Sequence, residues 1–274
     1  EEGENTIYKL MKDPLFSVKD EKLVFEEYLQ GKEISAFCLC DGEDFITLGF
    51  ARDYKRLKEG DKGPNTGGMG GMSLDLSQEK ELKAYIEENV FRKTLSAMKL
   101  KGTPFKGILF AGLMIEPGDS VKVLEFNVRM GDPETQILFP LFNEDLYPLF
   151  ESAANGGLGH LRKERPLKYR NQVHLKSKNS VHIVMASKGY PVLEKNRPML
   201  LNCPITYPKV GSSKEFIFFS GAQKNEGSLV NTGGRVLGVT CLGDDLSLAR
   251  ESAYNLVNKI TFEGAQWRKD MAHL

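Results

Sequence analysis

The sequence predicts an α+β protein built as two successive units, on three observations. Residues 34–40 and 45–50 are apolar runs joined by Cys40-Asp41-Gly42-Glu43, an Asp-Gly turn that is the strongest short hairpin signal in the chain. Residues 107–115 and 121–126 flank Pro117-Gly118-Asp119 and form a second antiparallel hairpin. Helical spacing adds helices at 78–99, 145–153 and 246–260, and 274 residues exceed one domain of roughly 100 to 200.

The first residues, 1–19, read as the tail of a helix with Ile7, Leu10 and Met11 at helical spacing, then a loop at Asp13-Pro14. No capping signal and no first strand precede it, so the chain is expected to be the later part of a longer polypeptide. Residues 23–28 alternate weakly and read as a strand carrying Glu26 and Tyr28 toward Leu29. Gln30-Gly31-Lys32-Glu33 then turns into strand 34–40. An adenine needs backbone donors and acceptors between apolar walls, and a ribose needs a carboxylate; Leu29 and Glu33 can supply both, although an ordinary acidic hairpin explains them as well.

Strand 45–50 runs into a long loop that opens with Arg52-Asp53-Tyr54-Lys55-Arg56 and continues through Pro64-Asn65-Thr66-Gly67-Gly68 to Gly71. Long irregular loops are functional or disordered, and the well-patterned strands around this one favour a substrate loop. Its glycines let backbone amides approach an anion, while Lys55, Arg56 and Lys62 add charge. It is not a Walker loop, because Gly-Lys-Ser/Thr and a following helix are missing.

Asp75 or Ser77 can cap the helix over 78–99, whose apolar face carries Leu82, Ile86 and Val90. The helix from Asp145 ends at Asn155-Gly156-Gly157. A basic link, 162–178, leads to the second unit, with strands at 181–186, 215–219 and 235–240. His174 and His182 read as a surface and a strand residue without metal spacing. Asn231-Thr232-Gly233-Gly234-Arg235 is a tight glycine turn that is structural or faces the main site, and Trp267 packs the tail on the body.

The chemistry concentrates where strand 121–126 opens into the polar turn 127–136. Side chains at i and i+2 share a face, so Glu125 and Asn127 present two hard oxygen ligands to one point while Phe126 turns into the core. Such ligands suit magnesium or manganese beside phosphates. Arg129 lies on the same face two residues further on and supplies a fixed cation for a developing anion. The turn Gly131-Asp132-Pro133 leaves Asp132 and Glu134 outside the ladder, available to a ligand.

Composition narrows the classes. Thirty-seven basic residues balance thirty-seven acidic ones, so the composition points to neither a nucleic-acid nor an anionic-membrane surface. Four scattered cysteines fit reduced thiols of a cytoplasmic protein, with Cys38 and Cys40 sharing a strand face. No apolar run of about 18 residues appears, and no charged start followed by an apolar stretch reads as a signal peptide.

Five separated blocks, 53–70, 124–136, 187–191, 233–237 and 263–270, together resemble the phosphoribosylamine-glycine ligase (glycinamide ribonucleotide synthetase) family of ATP-grasp ligases in purine biosynthesis. The resemblance implies an ATP-grasp core of antiparallel sheet and helices followed by a small mixed α/β C-terminal domain. It implies a lid-subdomain remnant at 1–25, the core at 26–165 and the last domain at 166–274. ATP would phosphorylate glycine, and phosphoribosylamine would attack the glycyl phosphate to give glycinamide ribonucleotide, ADP and phosphate.

By the same resemblance Glu125 and Asn127 are the magnesium or manganese ligands. Glu26, Tyr28 and Leu29 form the adenine hinge and Glu33 holds the ribose. Arg129 and Asp132 are the catalytic residues, and Asp53, Lys55, Pro64, Asn65, Thr66, Gly67, Gly68, Gly131 and Glu134 surround glycine and phosphoribosylamine. Tyr54 and Phe219 stand where the family usually has histidine, and the glycine-rich lid precedes the start of this chain. The resemblance also admits partner domains of a multifunctional purine enzyme. Two alternatives stay open: another ATP-grasp ligase or carboxylase, and a non-catalytic piece that needs a separate N-terminal half.

Overall fold

The computed structural model describes residues 2–12, 24–191 and 198–273. These fall into two compact units, residues 1–30 and 31–274. The first contains helix α1 (Glu2–Lys12), as its spacing predicts. The loop at Asp13-Pro14 and the start of the expected strand lie outside the described residues, and 24–30 form no regular structure rather than a strand. Weak alternation without an observed pairing partner does not hold a strand.

The second unit is organised on one eight-stranded sheet. Its elements in chain order are β1 (Lys32–Asp41), β2 (Phe45–Asp53), β3 (Arg56–Lys58), β4 (Lys62–Asn65), β5 (Gly70–Leu74), α2 (Lys80–Tyr85), a π segment (Ile86–Arg92) and α3 (Lys93–Leu100). There follow β6 (Lys106–Ile115), β7 (Val121–Asn127), α4 (Glu134–Leu138), α5 (Tyr147–Asn155), α6 (Leu158–Glu164) and β8 (Asn179–Ala186). The last are β9 (Glu215–Phe219), β10 (Ala222–Asn225), β11 (Ser228–Asn231), β12 (Arg235–Gly243) and α7 (Leu246–Val257). The strand order is β7-β6-β1-β2-β5-β8-β12-β9, every neighbouring pair antiparallel. The predicted strands thus join a single sheet through the β5–β8 pairing.

Alternation along β1 sends its side chains into two cores. Ile34, Ala36, Cys38 and Cys40 pack with Ile86, Val90, Phe91 and Leu95 of the long helical rod. The wider π turn brings Ile86, Val90 and Phe91 all inward. Phe37 and Leu39 pack on the other face with Ile137 and Leu138 of α4 and Leu149 of α5. Ala249, Ala253, Leu256 and Val257 of α7 cover β8 and β12. Each such large apolar side chain contributes roughly 1.5–3 kcal/mol by burial.

Several sequence expectations change. The β1–β2 connection is longer than a two-residue turn: Cys40 pairs with Phe45, and buried Asp41 accepts the amides of Glu43 and Asp44 at 2.9 and 2.7 Å. The loop after β2 contains its own small β3–β4 sheet. Asp75 accepts the Ser77 amide, and α2 begins at Lys80 without a side-chain cap. The basic stretch 162–178 is fastened rather than free: Arg165 forks onto Glu144 at 2.7 and 2.8 Å, and Thr47 pairs with Gln172.

Candidate functional site

β1, β2, β6 and β7 bring an acidic cluster together at one end of the sheet. Opposite residues of antiparallel strands share a face, so the row Ala51–Ser35–Gly112–Glu125 lies across four strands. Gly112 keeps this row open, because a β-carbon there would meet Glu125 Cγ at 3.3 Å. Glu33 and Asp53 lie two residues further along their strands on the same face.

On this face Lys55 is ion-paired with Glu33. Burial alone would lower the lysine, yet the hydrogen bond and charge of Glu33, with Asp53 and Glu125 behind them, hold its pKa above the ordinary value. Asp53 is pushed up to about 8, first by burial and then by the neighbouring charge of Glu134. Its Oδ1 is buried without a hydrogen-bond partner. Such an acceptor is expensive unless a donor meets it, and a cation would bring its pKa back down. Burial also raises Glu134, although Ser35 Oγ donates to its Oε1 at 2.8 Å.

Three of the expectations for the strand and its turn change. Phe126 is 43% exposed and does not enter the core, because β7 is an edge strand with a bulge opposite Gly112–Leu113. Glu134 does not stand free for a ligand; it opens α4, is buried, and is held by Ser35. Gly131 makes room for it, since a β-carbon there would lie 2.1 Å from Glu134 Oε2. β7 ends at Asn127, so its alternation does not carry Arg129; the exposed Arg129 donates to the Met130 carbonyl at 2.9 Å.

Glu125 and Asn127 do converge, with Asn127 Nδ2 3.2 Å from Glu125 Oε1. Turning the amide over presents Oδ1 instead, giving two hard oxygens at one point. That donor set fits magnesium or manganese, which complete their shells with water and phosphate. Among the described residues no group of three or more His, Cys, Asp or Glu is arranged for a metal.

The glycine-rich loop sits over the cluster. Thr66 Oγ1 donates to the Lys55 carbonyl at 2.7 Å and accepts the Gly68 amide at 3.0 Å. A β-carbon on Gly68 would lie 2.8 Å from Asp53 Oδ1 and 2.6 Å from Pro133 Cδ, so the loop closes on both. Pro64 is half-buried and Asn65 exposed at the end of β4. Glu26 and Tyr28 are exposed and Leu29 half-buried, all in the unit that ends at Gln30.

Sequence reasoning passed over four residues here: Ser35, Tyr190, Arg235 and Arg268. Arg235 donates to Gly67 O at 2.6 Å and to Asp132 Oδ2 at 2.9 Å, and Tyr190 Oη accepts the Gly67 amide at 2.9 Å. Only the glycine turn before Arg235 hinted at this. Arg268 is 1% exposed, pairs with Asp61 and Asp270, and stacks on buried Tyr54 at 5.0 Å. Tyr54 therefore belongs to the packing around the loop, and Phe219 is an edge-strand residue against Tyr207.

Residues 1–135 match the family model described as phosphoribosylglycinamide synthetase, ATP-grasp (A) domain, and residues 180–274 match phosphoribosylglycinamide synthetase, C domain. The chain is 38% identical to the Gallus gallus protein named trifunctional purine biosynthetic protein adenosine-3, over 100% of this chain and 26% of that protein. It is 37% identical to a phosphoribosylamine–glycine ligase of Caldanaerobacter subterraneus, over 99% of this chain and 61% of the relative. It thus spans less than two thirds of these relatives. The crystal structure of phosphoribosylamine–glycine ligase from Thermotoga maritima superposes with a TM-score of 0.80 at 35% identity, over 98% of this chain and 63% of that one. Biotin carboxylase from Campylobacter jejuni shares the fold, with a TM-score of 0.60 at 12% identity over 88% of this chain and 48% of that one. The α+β core is an ATP-grasp core followed by a further C-terminal domain.

Proposed function

The chain belongs to the phosphoribosylglycinamide synthetase family, and from that premise we propose that it works in ATP-dependent ligation of glycine to 5-phosphoribosylamine. The observation that carries this reading is the buried Asp53 carboxylate, its Oδ1 without a hydrogen-bond partner, beside Glu33, Lys55, Glu125 and Glu134, beneath a glycine loop. It suits a small ammonium-bearing acid such as glycine, whose amino group would donate to Asp53 Oδ1.

In this mechanism a glycine carboxylate oxygen attacks the γ-phosphorus of ATP and the bond to ADP breaks. The phosphoribosylamine nitrogen then attacks the carbonyl carbon of glycyl phosphate, the carbon–oxygen bond breaks, and phosphate leaves as the nitrogen loses a proton. Glu125 and Asn127 would hold magnesium or manganese, which neutralises phosphate charge when bound. Arg129 keeps guanidinium donors beyond its Met130 contact for the transferred phosphoryl group. Glu33, braced by Lys55, offers its other oxygen to the ribose, and Glu26, Tyr28 and Leu29 form the adenine hinge. Gly131 and Glu134 shape the glycine side, with Pro64, Asn65, Thr66, Gly67 and Gly68 as the substrate loop.

We assign residues 26–165 to the core and 166–274 to the C-terminal domain, with 1–25 belonging to the lid subdomain; the two family-model matches, over 1–135 and 180–274, support the division between core and C-terminal domain. Further domains of a multifunctional purine enzyme are the proposed partners, by analogy with the trifunctional name of the Gallus gallus relative. The cytoplasm is the proposed compartment, supported by four free, buried cysteines. Among the described residues no helix is long and apolar enough to cross a membrane. The test is ADP release by the polypeptide carrying this chain, with glycine replaced in turn by bicarbonate and other amino acids. Release that requires glycine supports the reading; release indifferent to glycine, or driven by bicarbonate, rejects it.

A further inference from the structure

We propose that Arg235 is a positioning residue of the ligase site, holding the substrate loop and the phosphoryl-facing turn at a fixed spacing, with Tyr190 as its second fastener. The inference rests on the ligase reading for its chemistry, while its geometry stands independently. Arg235 opens β12, which is hydrogen-bonded between β8 and β9 and so gives the side chain a rigid mount. One guanidinium nitrogen donates to Gly67 O at 2.6 Å and Asp132 O at 2.9 Å, and the other to Asp132 Oδ2 at 2.9 Å. Asp132 Oδ1 accepts from Gln136 at 2.9 Å, so both of its oxygens are engaged.

The other side of Gly67 is held too, its amide donating to Tyr190 Oη at 2.9 Å. The Tyr190 ring lies against Gly234, where a β-carbon would be only 2.2 Å from Cδ2. Two segments 65 residues apart in sequence, at Gly67 and Asp132, are thereby joined through residues of the C-terminal part. The planar fork of arginine can do this, whereas a lysine ammonium is a single point donor. Ligation needs glycyl phosphate and the attacking amine aligned together, and a misplacement of about 1 Å can reduce rate by on the order of a hundredfold. Without the clamp, water would reach the acyl carbon instead, releasing phosphate and regenerating glycine. ADP would then exceed amide product.

The test compares Arg235→Gln, Arg235→Lys and Tyr190→Phe with the unaltered protein by two readouts. The first is hydrogen exchange at the Gly67 amide without substrates, which should quicken in Arg235→Gln and Tyr190→Phe; an unchanged rate in both overturns the clamp. The second is ADP formed per amide product, with kcat and the KM for the amine. The ratio should be near one in the unaltered protein and rise in Arg235→Gln, with kcat down by about tenfold or more and partial recovery in Arg235→Lys. An unchanged ratio in Arg235→Gln, with activity lost only in step with melting temperature, overturns the positioning role. Faster exchange in the variants of a protein that makes no glycine-dependent ADP supports the clamp and rejects the ligase reading instead.

Discussion

Replacing Asp53 by asparagine should remove a pH-dependent penalty on folding between about pH 4 and about pH 8. Burial and Glu134 push Asp53 up from 3.8 to about 8. Inside that window the folded chain keeps a proton that the unfolded chain has released. The stability associated with Asp53 is therefore full below pH 3.8, falls as pH rises through the window, and is level above about 8. The slope is at most about 1.4 kcal/mol per pH unit, which accumulates to on the order of 5 kcal/mol. Buried His182 works in the opposite sense, being pushed down to about 3 by burial and by Arg235, so the difference between two proteins is the useful quantity. Urea unfolding of the unaltered chain and Asp53→Asn, from pH 4 to pH 9, measures it. The advantage of the variant should grow with pH up to about 8 and then stay constant. A difference independent of pH would refute the reasoning.

Other perturbations follow from the same geometry. His182→Gln should shrink the acid limb, because its share of stability in the unaltered chain is lost as pH falls from 6.5 toward about 3, leaving the part due to ion-paired carboxylates such as Glu144 and Asp270; acid titrations of unfolding will compare the two. Gly131→Ala puts a β-carbon 2.1 Å from Glu134 Oε2 and should destabilise by about 1–3 kcal/mol in urea unfolding, with reduced glycine-dependent ADP release. Arg268→Met leaves Asp61 and Asp270 without their shared cation; both carboxylates can rehydrate, so the cost should be about 3 kcal/mol, at the low end for a broken buried pair, with faster proteolysis near Gly60.

The hairpins and main helices were legible because their patterns repeat locally. Apolar runs bounded by turn residues marked β1, β2, β6 and β8, and the spacing of Ile86 and Val90 marked the rod, although nothing announced its π segment. Phe126 misled because alternation says which residues share a face but not whether another layer covers it; at the sheet edge the face stays open. The loop after β2 hid β3 and β4 because those strands are short and polar. Within the site, Glu125, Asn127, Asp53 and Lys55 stood out as charged or polar residues at or next to strand ends. Arg235, Ser35 and Arg268 did not, because their partners lie 168, 99 and 207 residues away, at Gly67, Glu134 and Asp61.

Glu125 is the residue on which the account most directly depends, since it supplies a metal-suited oxygen opposite the Gly112 gap. The decisive measurement is glycine-dependent ADP release by the polypeptide carrying this chain, unaltered and as Glu125→Ala, at saturating magnesium. The account predicts release that requires glycine in the unaltered protein and is reduced by at least about a hundredfold in the variant, as expected when an electrostatic group of phosphoryl transfer is removed. Normal turnover in Glu125→Ala would contradict it.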